Sequence, residues 1–127
     1  MAKLLIVDDD PLIRETLGSG LRMFGHDVEL AEDGAKGVAH LRCHAAELAL
    51  VDILMPEKEG LETIREMRRD HPTMRIIAMS GGGGVSNLNF LEMAQVFGAD
   101  LTLQKPFRIK ELLESIASLL APLNEGG

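Results

Sequence analysis

Five side chains able to do chemistry each stand at the end of a short apolar run. Asp8 and Asp9 follow Lys3 to Val7, Asp52 closes Leu48 to Val51, Ser80 follows Met74 to Met79, and Lys105 comes just after Leu101 to Leu103. A carboxylate after such a run costs several kcal/mol to bury unless a cation or hydrogen bonds meet it. If the runs are strands lying side by side, all five groups converge on one edge of a sheet. Three carboxylates there repel one another, and a hard dication is the natural remedy. Magnesium takes few protein carboxylates, keeps waters, and shares its other positions with phosphoryl oxygens. Lys105 then serves as a point charge for one phosphoryl oxygen, and the Ser80 hydroxyl can donate to another. Asp52, central among these groups, is a nucleophile able to form an aspartyl phosphate. Positioning and charge neutralisation do most of the work in such transfers.

The elements that must hold these residues alternate along the chain. Lys3 to Val7 reads as a buried strand. Asp10 followed by Pro11 reads as a helix start, with the acid as N-cap. Ile13, Leu17, Leu21 and Phe24 recur at helical spacing before Gly25. Asp27 to Ala31 alternates polar and apolar residues as an edge strand does, and a weaker helix runs from Ala35 to about His44. Glu47 to Asp52 is the central strand and Pro56 to Gly60 the loop beyond it. Leu61, Ile64 and Met67 mark a helix that stops before Pro72. Met74 to Met79 is a fourth strand, followed by four glycines, Gly81 to Gly84, and a helix from about Ser86 to Phe97. Leu101 to Leu103 is a fifth strand, and Ile109, Leu112, Leu113, Ile116 and Leu120 mark the last helix. Five strand–helix alternations with short connections predict an α/β fold, a doubly wound parallel sheet with helices on both faces. Such sheets bind ligands beyond the carboxyl ends of their strands.

The chain has 127 residues, enough for one core. It holds 13 Lys and Arg against 20 Asp and Glu, a formal charge of −7. That balance argues against direct binding to nucleic acid or to an anionic membrane face. Aromatic residues are only 3% of the chain, with no Trp or Tyr, so base stacking has little to use. Cys43 is the only cysteine, which rules out an internal disulfide and suits a reducing compartment. No signal peptide and no run of roughly 20 apolar residues is visible, so the expectation is a soluble cytoplasmic protein. Residues 1–121 are expected to form the domain, with 122–127 as a tail or a truncated linker.

Taken together, Val7, Asp8 and Asp9 after the first strand, Asp52 with Met55 and Pro56 after the third, Ser80 after the fourth, and Lys105 with Pro106 after the fifth resemble the receiver domain of two-component response regulators. The resemblance runs from Lys3 to about Leu120. It implies a flavodoxin-like (βα)5 fold of strand order 2-1-3-4-5. It implies that Asp52 accepts a phosphoryl group from a sensor histidine kinase or a histidine phosphotransfer protein. Asp9 and Asp52 would bind Mg2+ with the backbone carbonyl of Leu54, and Asp8 would support the metal through water. Lys105 would contact the phosphoryl group and Ser80 would report it. A cis bond before Pro106 is implied as well, as is a partner surface around the fourth helix, fifth strand and fifth helix, where Gln95, Arg108 and Lys110 fall. Such a domain catalyses only its own phosphorylation and dephosphorylation, as a monomer or a phosphorylation-dependent dimer.

Three departures from the family pattern stand out. Thr102 occupies the switch position that often carries Tyr or Phe, so the switch must be read differently. The segment from Ser80 to Asn87 is longer and richer in glycine than usual. Leu54 and Gly82 stand where polar side chains often assist an attacking water, which implies slow self-dephosphorylation.

Other readings are weaker. Asp8 and Asp10 could form the DxD of a haloacid-dehalogenase-type phosphohydrolase, but this leaves Asp52 without a role. Gly81 to Gly84 lack the Lys and Ser or Thr of a Walker loop. A flavodoxin-like cofactor binder without Trp or Tyr is a poor fit, and the intact set of acids, serine and lysine argues against a degenerate scaffold. His40 and His44 have the spacing of a metal pair, yet no carboxylate lies close in sequence, so a solvated helix face is expected.

Overall fold

The computed structural model describes residues 2–53, 59–80 and 92–121. Five strands, β1 (Lys3–Val7), β2 (Asp27–Ala31), β3 (Leu48–Asp52), β4 (Arg75–Ser80) and β5 (Leu101–Gln104), form one sheet. All pairings are parallel, in the order β2-β1-β3-β4-β5. The helices are α1 (Pro11–Met23), α2 (Gly34–Cys43), α3 (Glu59–Asp70), α4 (described over 92–97) and α5 (Ile109–Leu120). The doubly wound order is therefore the expected one, with β2 at the edge.

Because side chains alternate across a strand, β1 sends Leu5 and Val7 to one face and Leu4 and Ile6 to the other. Val38, Leu41, Leu61, Ile64, Met67 and Ala94 of α2, α3 and α4 cover the first face. Leu21, Leu112 and Ile116 of α1 and α5 cover the second. β3 is buried along its whole length, as its continuous apolar run requires.

Local signals set most boundaries. The Asp10 side chain accepts a hydrogen bond from the Leu12 N–H at 2.9 Å and caps α1, with Pro11 at the first helical position. Asp33 caps α2 in the same way through Lys36 N–H. Glu111 Oε1 accepts from the Arg108 N–H at the start of α5.

Two expectations need correction. Phe24, read as part of the apolar stripe of α1, is 62% exposed, because it is the C-cap residue and the chain has left the helix there. Gly60, read as loop, lies in the first turn of α3 and is buried. A Cβ on Gly60 would collide with the Asp52 carbonyl oxygen and the Ile53 Cα. Gly60 is thus what lets α3 start directly against the end of β3. The region 54–58, the glycines 81–84, the start of the fourth helix and the tail 122–127 lie outside the described residues.

The opposite end of the sheet is closed by Arg68, on the last turn of α3. Its guanidinium donates to the carbonyls of Gly98, Pro72 and Met74 and pairs with Asp100 at 2.7 Å. Asp100 Oδ2 also accepts from the Ile76 N–H. Gly98 has φ 130 and a Cβ on it would run into the Arg68 stem, so a side chain there would be both strained and blocked.

Candidate functional site

Each side chain singled out in the sequence sits at the carboxyl end of a strand. Asp8 is the first residue past β1, Asp52 ends β3, Ser80 ends β4, and Lys105 follows β5 directly. Two backbone hydrogen bonds hold these ends together: Ile53 N–H donates to the Met79 carbonyl and Lys105 N–H to the Ser80 carbonyl, both at 2.8 Å. The Lys105–Pro106 bond is cis.

Asp8 and Ser80 are 0% exposed and Asp52 6%, while Asp9 is open to solvent. The Lys105 ammonium lies 2.9 Å from Asp8 Oδ2 and 3.5 Å from Asp52 Oδ2. The Asp10 N–H donates to Asp8 Oδ1 at 2.9 Å. Asp8, Asp9 and Asp52 each offer an oxygen such that all lie within 4.8 Å of one another. At that spacing each pair of charges repels by roughly 3–4 kcal/mol at an effective dielectric near 20. One ammonium against three carboxylates leaves two negative charges, which a hard dication matches. These oxygens therefore fit a magnesium-type ion.

Asp10 stands apart from this cluster. Its carboxylate is spent on the cap of α1, which removes the general acid that a DxD phosphohydrolase would need. Thr102 sits within β5 opposite Ala78 and is half-buried. The Leu54 carbonyl and Gly82 fall outside the described residues. His40 lies in the last turn of α2 and His44 is its C-cap residue with extended backbone, and their rings are stacked. Gln95, Arg108 and Lys110 are all exposed.

Arg14 was missed in the sequence. One turn after the Asp10 cap, it donates from Nη1 to the Asp8 backbone carbonyl at 2.8 Å and pins the acidic turn to α1. Its place four residues after the cap is the signal that would have found it. An apolar groove lined by Leu12, Ile13, Leu17 and Phe107 flanks Lys105.

Comparison with known proteins bears on this arrangement. The family model described as response regulator receiver domain matches residues 4–117. The transcriptional regulatory protein CpxR of Klebsiella pneumoniae is 37% identical over 120 residues, covering 94% of this chain and 50% of that protein. The response regulator MprA of a Mycobacterium species is 34% identical over 119 residues, covering 93% and 50%. The chain thus spans about half the length of these relatives. Among solved structures, a CheY-like receiver domain protein from Methanospirillum hungatei superposes with a TM-score of 0.83 at 32% identity, covering 93% of this chain and 92% of that one. The receiver domain of NtrX from Brucella abortus gives 0.85 at 28%, covering 92% and 97%. Among the described residues, no helix is long and apolar enough to cross a membrane. With the same fold and a family match over most of its length, the chain belongs to the response regulator receiver domains of two-component systems.

Proposed function

We propose that Asp52 is the phosphoacceptor of this receiver domain and that the reaction depends on Mg2+. The observation that carries the reading is the Lys105 ammonium set between Asp8 and Asp52, beside three acid oxygens that need a dication. Asp9 and Asp52 would hold the ion, with the Leu54 carbonyl as a further ligand and Asp8 acting through water. When bound, the ion neutralises phosphoryl oxygens.

The chain's own residues supply the rest. An Asp52 carboxylate oxygen forms a bond to phosphorus as the phosphorus–nitrogen bond of a phosphohistidine donor breaks, and that electron pair leaves with the imidazole nitrogen. Lys105 orients a second phosphoryl oxygen and balances its charge. The Ser80 hydroxyl donates to a third. Because Lys105 N–H is bonded to the Ser80 carbonyl, movement of one strand end is felt by the other. Thr102, small and β-branched, leaves the readout to the backbone of β5 rather than to a swinging ring.

The donor is a sensor histidine kinase or a histidine phosphotransfer protein. The surface of α4, β5 and α5, with Gln95, Arg108 and Lys110 exposed on it, faces the output partner. Intact mass after incubation with acetyl phosphate and magnesium tests the assignment. The native protein gains one phosphoryl group and Asp52→Ala gains none. Incorporation that survives Asp52→Ala and is abolished by Asp8→Ala overturns it.

A further inference from the structure

The acidic turn between β1 and α1 holds its three members by different means. Both carboxylate oxygens of Asp8 are engaged, Oδ1 by the Asp10 N–H and Oδ2 by the Lys105 ammonium. The Asp10 carboxylate caps α1. Asp9 stands exposed between them, and among the described residues no hydrogen bond or ion pair reaches its carboxylate. Even so, one of its oxygens lies within 4.8 Å of oxygens on Asp8 and Asp52. The aim of Asp9 therefore has to come from its backbone.

Peptide groups are planar, so fixing the planes on both sides of a residue fixes the direction in which its side chain leaves the chain. The plane before Asp9 carries the Asp8 carbonyl, which accepts from Arg14 Nη1 at 2.8 Å. The plane after it carries the Asp10 N–H, which donates to Asp8 Oδ1 at 2.9 Å. Arg14 also donates its own backbone N–H to the Asp10 carbonyl at 3.0 Å. One residue of α1 thus grips the turn on either side of Asp9. Arg14 forms no ion pair among the described residues, so its guanidinium serves this carbonyl rather than an acid.

We propose that Arg14 is a positioning residue for the divalent ion: by fixing the Asp8–Asp9 peptide plane it aims the Asp9 carboxylate into the cluster, and so sets how tightly the ion is held. The inference rests on the reading of Asp9 as a ligand of that ion. Charge and position act in opposite directions here. A guanidinium beside the acids repels a dication, so its removal tightens binding if charge dominates and loosens it if position does. Partners that orient a metal's ligands are worth roughly 10–100-fold in affinity. Solvent screens the charge of a partly exposed arginine, so position is the larger effect.

The test is titration of the whole chain with Mn2+, an oxygen-seeking ion whose sharp paramagnetic resonance in solution is lost on binding. Arg14→Met keeps the stem and its packing while removing the donor and the charge. It is expected to bind the ion about 10-fold more weakly than the native protein. Arg22→Met is the control, because Arg22 also lies on α1 and donates to a backbone carbonyl, that of Val28 at 2.7 Å, away from the acids. Its affinity is expected to equal the native one. Asp9→Asn is expected to weaken binding, and adding Arg14→Met to it is expected to cost nothing further, since the two act as one unit. That lack of additivity is what a merely structural role would not produce. Arg14→Met binding as tightly as the native protein or tighter, losing the same factor in the Asp9→Asn background, or matched in its loss by Arg22→Met, overturns the role of Arg14. Weaker binding in Asp9→Asn with none in Arg14→Met overturns that role alone, whereas affinity unaltered by Asp9→Asn overturns the ligand reading with it.

Discussion

Lys105 Nζ lies closer to the fully buried carboxylate of Asp8, at 2.9 Å, than to that of Asp52, at 3.5 Å. The ammonium thus holds Asp8 firmly and Asp52, the proposed phosphoacceptor, loosely. Lys105→Met leaves the buried Asp8 carboxylate with the Asp10 N–H as its one remaining partner among the described residues. Breaking a buried pair in this way costs about 3–5 kcal/mol, and the remaining hydrogen bond places the expected loss near 3 kcal/mol. Urea denaturation followed by circular dichroism measures it. Magnesium is expected to restore part of the loss.

Gly60→Ala places a methyl group against the backbone of Asp52 and Ile53, and neither can step aside as a flexible side chain would. Overpacking costs typically about 1–3 kcal/mol. The upper end is expected here, together with slower phosphoryl incorporation at Asp52, because α3 can be accommodated only by displacing the end of β3. A variant with native stability and native incorporation rate would contradict this account of Gly60.

Arg68→Ala takes the guanidinium away from the carbonyls of Gly98, Pro72 and Met74 and from Asp100, which keeps the Ile76 N–H and the more distant Arg75. The pair is about three-quarters buried, and a loss of roughly 3 kcal/mol is expected. Arg68→Lys should recover little of it, since a single ammonium cannot reach carbonyls on several sides as a planar fork does. Equal urea midpoints for the Lys variant and the native protein would refute the fork argument.

His26 accepts a hydrogen bond at Nδ1 from the Ala2 N–H. Burial, and then the positive charge of the amino terminus, hold its pKa below the usual 6.5, against a weaker pull upward from Glu47. The unfolded chain therefore binds this proton more tightly than the folded one. The stabilisation is complete above pH 6.5 and is lost as pH falls from there through the lower folded value. His26→Gln is expected to flatten the stability profile in that window, as read from thermal midpoints at a series of pH values.

The residues of the candidate site were legible because each interrupts an apolar run at the point where a buried strand must stop. Asp8, Asp52 and Ser80 are marked by the contrast with their own neighbours, and chain order alone then brings them together. Phe24 misled because helical spacing continues for one residue after the helix has ended. Arg68, Gly98 and Asp100 gave no signal, since partners 30 or more residues apart leave no local pattern.

The sheet divides the apolar interior into two layers that share no side chains, one under α1 and α5 and the other under α2, α3 and α4. Repacking within one layer is therefore screened from the other by a wall of backbone. Side chains beneath α1 and α5 can change while Gly60, Arg68 and the seat of α3 stay as they are. A single small domain thus holds two cores that tolerate substitution independently of each other.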